Sequence, residues 1–359
     1  MVKKDIKLSN LKGILIFLVV FGHFIEIYKH EFYPLYGFIY AFHMPLFVFI
    51  SGYLAKRMRP HKIVNFILLY FIFQTIYNAI FYETGEFSYS TPRYHLWYIV
   101  SLSMWYGVVW IISHLHLNAS NKRAIFLIGL FISFISRWYT DEIVAFVQNY
   151  AENFSSYTLS WQRTLTFLPF FLLGYFLNEQ KLAAIYRSMK SRAAIVISFL
   201  LTALATCFYS EFAYGVEQLF KGSFGAHEYL SVKDSFSKYA IKTAFHYGLA
   251  VWLCYLMVNF ISNKPHRITY WGDNSLTIYL FHPMIVFALE ETCFLDDWTL
   301  YAKCIALFLT ALSTTMLLSS RYFVKAAKHL CHPYQLIKHF KKIARPKTKY
   351  FPGNMIFFS

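Results

Sequence analysis

Apolar residues fall into ten blocks along the chain, at 12–28, 39–55, 63–81, 96–115, 123–138, 163–178, 193–210, 240–261, 273–290 and 300–320. Several are shorter than the ~20 residues of an ideal membrane span, and Tyr and Trp at their ends extend them into the interface. The pattern predicts an all-α fold, a polytopic transmembrane bundle of about ten helices. The first block follows a basic start, but no small-residue cleavage site comes after it, so it reads as a helix and not as a cleaved signal peptide. No internal repeat is evident, and with it the signature of an inverted-repeat transporter is missing.

Composition supports the membrane reading. Hydrophobic residues make up 57%, charged residues 14%, and mean hydropathy is +0.41; a soluble chain runs nearer one quarter charged and could not hide this much apolar surface. Disorder, collagen, coiled coil and a disulfide-stapled domain are excluded. The net charge of +16 raises nucleic acid as a partner, but its placement gives another account. With the N-terminus in the cytoplasm and sides alternating, 25 of the 34 Lys and Arg fall on the inner side, a positive-inside pattern that puts both termini in the cytoplasm and needs no nucleic acid. Residues 1–320 then form the membrane domain, and 321–359 a basic tail on the anionic inner leaflet, where it meets membrane lipids. Loop 211–238 is the longest outer connection, able to fold over an outer opening. Five scattered cysteines without a CxxC argue against a metal site or a disulfide framework.

Ionisable groups inside spans are costly, so each is a functional candidate. Lys12, His23 and Glu26 share one stripe of the first helix: eleven residues are almost three turns, and His23 and Glu26 form an i, i+3 pair. A neutral imidazole there is suited to taking a proton from a hydroxyl, with Glu26 orienting it; the bland alternative is a packing histidine bonded to a helix carbonyl. His43 precedes Pro45, which frees a carbonyl or kinks the second helix, and Ser51-Gly52 offers a small-residue contact to another helix. Arg57 and Arg59, in a cluster running from Lys56 to Lys62, are either an orientation signal or a phosphate site. Asp273 or Asn274, followed by Ser275, caps the ninth helix, whose first amides suit an anion. His282 lies at a depth similar to His23, which suggests a shared polar cavity. Arg163 is a candidate substrate- or donor-binding residue or, more plainly, a snorkelling anchor, and Trp97 is an interfacial belt residue or a sugar platform.

In order, Asn10-Leu-Lys-Gly-Ile-Leu, Val20-Phe-Gly-His23, Phe42-His-Met-Pro-Leu-Phe-Val-Phe-Ile-Ser-Gly-Tyr-Leu54, His95-Leu-Trp-Tyr98, Arg163 to Tyr175 and Trp271-Gly-Asp-Asn-Ser-Leu-Thr-Ile-Tyr-Leu-Phe-His282 resemble the acyltransferase-3 family of integral membrane acyltransferases. The likeness runs over about residues 8–285 and is nearest the branch of fucose 4-O-acetylase-like and cell-surface polysaccharide O-acetyltransferases. It implies ten core helices, an acyl-CoA donor from the cytoplasm and a glycan acceptor on the far side. It also implies that His23 matches the family's essential histidine, Lys12 a basic residue that is Arg in many members, and Ser51-Gly52 the family's Ser-Gly element. The family's Arg-x-x-x-Arg pattern is not met cleanly: here it is Arg57-Met-Arg59, with His61 where a second Arg would fall.

The expected function is therefore that of a multi-pass cell-membrane O-acyltransferase, passing acetyl from acetyl-CoA to a cell-surface polysaccharide or its lipid-linked precursor. No bound cofactor or metal is expected, and Ser51 or His282 would stabilise the oxyanion. The rivals are a glycan or proton-coupled transporter or flippase, and a glycan polymerase.

Overall fold

Short polar side chains fix where the apolar blocks become helices. Asp5 accepts the Leu8 amide at 3.1 Å and starts α1, Ile6–Ile27. Asn118, Asn178, Ser191 and Ser235 cap α6 (Ala119–Trp138), α9 (Glu179–Ile185), α10 (Arg192–Phe208) and α12 (Phe236–Phe260) in the same way. The structure is a computed structural model and describes residues 5–56, 59–81, 87–209, 212–222, 225, 235–292 and 295–335. Among these residues every regular element is a helix. The remaining elements are α2 (Tyr33–Tyr40), α3 (His43–Ala55), α4 (His61–Ile80), α5 (Trp97–Ser113), α7 (Thr140–Gln148), α8 (Trp161–Phe176), α11 (Phe212–Phe220), α13 (Arg267–Asp273), α14 (Ser275–Glu290), α15 (Leu300–Leu318) and α16 (Arg321–Cys331).

All ten apolar blocks fall on helices. Among the described residues, six stretches are long and apolar enough to cross a membrane: α1, Tyr33–Ala55, α4, α6, α12 and α15. The pair α10 and α11, bent by 101°, makes a seventh if it is one span. α5 and α14 are apolar but shorter, and α8 runs 16 residues with Pro169 inside it. Leu127, Ile128 and Phe131 of α6, Leu200, Leu201 and Leu204 of α10, and Ile305 and Leu309 of α15 point outward, as surfaces solvated by lipid do.

α1 is enclosed by α2, α3, α13, α14 and α15. α3 lies against α8 through two reciprocal glycines: a Cβ on Gly52 would strike the Phe171 carbonyl, and one on Gly174 would strike the Phe49 carbonyl. The contact expected of Ser51-Gly52 takes this form. Pro45 does not kink a continuous helix. The chain breaks at Ala41 and Phe42, and Pro45 sits in the first turn of α3, where a missing amide costs nothing. α16 packs against α14, α15 and α4, burying Ala327 and Cys331 and exposing Tyr322. The tail thus starts as part of the bundle, and its remainder, including His339 to Lys342, lies outside the described residues. Of loop 211–238, α11 is buried against α2 and α12 through Phe212, Val216, Leu219 and Phe220.

Candidate active site

Three imidazoles from separate stretches of chain meet at one end of α1. The His23 ring centroid lies 4.8 Å from His95 and 5.5 Å from His282, and His95 and His282 stack at 4.4 Å. His23 comes from the last turns of α1, His282 from mid-α14, and His95 from a short 3-10 turn, Tyr94–Leu96, that leads into α5. That turn is held by the Tyr279 hydroxyl, which donates to the His95 carbonyl.

The hydrogen bonds fix the tautomers. His23 Nδ1–H donates to Glu26 Oε2 at 3.1 Å, and His282 Nδ1–H donates to the Ile278 carbonyl at 2.9 Å. A neutral ring with its proton on Nδ1 carries a lone pair on Nε2. His282 is fully buried and its Nε2 has no hydrogen-bond partner. His282 therefore presents an acceptor, and the expectation that it donates to an oxyanion is corrected.

Glu26 is the hub of the acid side. The Tyr40 hydroxyl donates to Oε2 at 2.9 Å, and Lys221 Nζ reaches Oε1 at 2.8 Å. Tyr40 can come so close because Gly22 faces it: a Cβ on Gly22 would lie 3.2 Å from its ring. Lys221 also pairs with Glu217 at 3.2 Å. Burial works against the Lys221 charge, yet Glu26 and Glu217 outweigh it and raise its pKa above the ordinary lysine value.

A cavity of about 1020 Å³ opens at the other end of α1, lined by Lys7, Lys12, Lys56, Arg187 and Arg192 together with Asp5, Glu179 and Asp273. Lys12 is about 16 Å along the helix axis from His23. Polar groups run part of the way between the two ends. Ser51 Oγ and the Tyr98 hydroxyl lie 2.5 Å apart, and the Tyr98 ring touches that of Tyr279, the residue bonded to His95.

The other residues singled out in the sequence are scattered more widely. His43 is buried beside Tyr40, with Nδ1–H on the Ile39 carbonyl at 2.8 Å, so it serves its own helix break. Arg59 is exposed and does not line the cavity, and Arg57 lies outside the described residues. Asn274 heads α14 but turns its amide back to the Tyr270 carbonyl, while Asp273 ends α13 and accepts the Ser9 hydroxyl at 3.0 Å. Neither caps α14 through its side chain, and Ser275 is merely that helix's first residue. Trp97 is no exposed platform: it is 8% exposed, stacked on Phe167 at 5.4 Å. Arg163 lies over its face, 5.4 Å from the ring centre, and is not a snorkelling anchor; its charge acts on His95. His95, Tyr40 and Lys221 were not expected at the site, although His95 stood in one of the quoted motifs.

The three histidines are the group, among the described residues, with the ligand types for a metal, one nitrogen of each lying within 4.8 Å of the others. Tetrahedral zinc, at about 2.0–2.1 Å from each nitrogen, would hold them roughly 3.3 Å apart. His95 and His282 instead lie face to face, with planes 17° apart, so their in-plane nitrogen lone pairs do not converge on one point as the rings stand.

Comparison with known proteins gives the family. The chain is similar to nodulation protein NolL of Sinorhizobium fredii, with 52% identity over 59 residues, which cover 15% of this chain and 16% of that protein. No solved structure matches. The family model described as an acyltransferase domain matches residues 5–320, a stretch that holds the histidines, Glu26 and the basic cavity; the chain belongs to the acyltransferase-3 family.

Proposed function

We propose that the protein is a multi-pass cell-membrane O-acetyltransferase that moves acetyl from acetyl-CoA to a hydroxyl of a cell-surface polysaccharide or its lipid-linked precursor. The observation that carries this reading is the His23–Glu26 pair at one end of α1 with a basic cavity at the other. The cavity suits the phosphates of a nucleotide-bearing donor, with Arg187, Arg192, Lys12 and Lys56 as the cations that line it and Arg59 outside it. The polar groups from Ser51 to Tyr279 mark the course of the donor's arm toward the histidines. Family membership supports acyl transfer over transport, and the likeness to polysaccharide O-acetyltransferases supports the glycan acceptor.

In this reading His23 Nε2 takes the proton of the acceptor hydroxyl as its oxygen bonds to the thioester carbonyl carbon. The carbon–sulfur bond then breaks, and the proton passes from the imidazolium to the departing thiolate, so CoA leaves as the free thiol. Glu26 holds Nδ1–H and stabilises the imidazolium. Arg163 supplies fixed positive charge near the developing oxyanion. His282 Nε2 offers a second acceptor, for a hydrogen bond from a neighbouring hydroxyl of the same sugar.

The test is acetyl transfer by purified protein, with CoA binding and thermal stability measured in parallel. His23→Gln should keep its fold and bind CoA, while transfer falls at least ~10²-fold, because an amide fills the space but takes no proton. Near-normal transfer by that variant would reduce His23 to a packing residue.

A further inference from the structure

Lys221 follows α11, on the segment laid over the Glu26 end of α1. Its ammonium is 2.8 Å from Glu26 Oε1. Since Glu26 Oε2 takes His23 Nδ1–H and the Tyr40 hydroxyl, both carboxylate oxygens are committed. The other side of Lys221 is held too. Glu217, one helical turn earlier, pairs with it at 3.2 Å and also accepts from Lys29 at 3.2 Å and from the Tyr33 hydroxyl at 3.1 Å. Lys29 follows α1 and Tyr33 opens α2, so Glu217 fastens α11 to both. A carboxylate bonded through one oxygen can swing about its last torsion, whereas one gripped through both cannot. The Lys221 charge also offsets a carboxylate that is only partly open to water.

We propose that Lys221 is a positioning residue for acyl transfer: it locks the Glu26 carboxylate, and through it the His23 tautomer whose Nε2 carries the lone pair. The proposal rests on His23 being the general base. It makes the chemistry conditional on α11 being docked, because Lys221 reaches Glu26 only from that segment.

The experiment follows CoA thiol release from acetyl-CoA by the purified full chain, water taking the acetyl group as acetate, with kcat and donor KM determined separately. Lys221→Met should lower kcat roughly tenfold or more, the size of one lost charge-assisted hydrogen bond, and leave donor KM unchanged. Lys221→Arg should recover most of kcat. In a Glu26→Gln background, Lys221→Met should add little further loss, since coupled residues do not act additively. Unchanged kcat in Lys221→Met, a fully additive loss, or a loss that Arg fails to repair would each overturn the proposal. If His23→Gln abolishes thiol release while Lys221→Met does not, only the Lys221 role fails. If the wild-type protein releases no thiol, the acyltransferase reading fails and takes this role with it.

Discussion

Glu26 is bonded to three side chains from three elements, and substitutions there should grade by which bond they remove. Glu26→Gln keeps an oxygen for His23 Nδ1–H but loses the charge that stabilises the imidazolium and pairs with Lys221, so its transfer should fall, though less than in His23→Gln. Tyr40→Phe removes one hydroxyl donor at 2.9 Å from Oε2 and should cost about 1 kcal/mol of transition-state stabilisation, a loss of several-fold. Steady-state transfer rates check both, and a Tyr40→Phe loss larger than that of His23→Gln would place the proton elsewhere. The pair itself was legible in the sequence because i, i+3 spacing on one helix is a local property. His95 was not, since it sits on a turn and meets His282 only once Tyr279 of α14 holds that turn in the folded chain. Lys221 reads as one more loop lysine until α11 is seen on α2, and Trp97 reads as interfacial until Phe167 covers it.

The α3–α8 crossing depends on two carbonyls approaching within what only glycine allows. Gly174→Val should therefore destabilise by about 1–3 kcal/mol or more through overpacking, visible as a lower melting temperature in detergent, whereas a valine at Gly107, whose Cβ would meet nothing within 4 Å, should leave it nearly unchanged. The segment joining α9 and α10 carries the donor prediction. Arg187→Gln and Arg192→Gln should each raise the donor KM, roughly tenfold if each holds a phosphate, with kcat kept, and Arg59→Gln should change neither. Equal donor KM in all three would detach the cavity from the donor. At this scale the sequence placed every apolar block on a helix, because block hydrophobicity is a local signal. It did not show that a separate helix, α2, precedes the break at Ala41 and Phe42, since no Gly or Pro occupies that break, and of the two readings of Pro45 the bend is not realised because Pro45 stands in the first turn of α3. The left-handed Leu159 and Ser160, with φ of 47° and 56°, turn the chain into α8 without any glycine to announce them.

For the whole molecule, composition and one-sided loop charge were enough to name a helical membrane protein, since both are sums over the chain. Which helices meet was not readable, because an apolar residue facing lipid and one facing a neighbouring helix look alike in sequence. The expected orientation is open to cysteine accessibility: probes at 87–93 should label from outside, and one at Arg59 only after permeabilisation, and the reverse pattern would invert the topology. If the two ends of α1 do face opposite waters, the placement of basic cavity and histidines on one rigid rod has a consequence for traffic. On the proposed function, only the acetyl group, carried at the tip of its arm, would travel the length of the helix, while the adenine end would stay where it entered. In sealed vesicles loaded on one side with acetyl-CoA labelled separately in acetyl and adenine, acetyl label should accumulate as ester in the opposite compartment while all adenine label remains behind. The lipid barrier would thus keep the cell's nucleotide pool intact while the exterior is decorated from it.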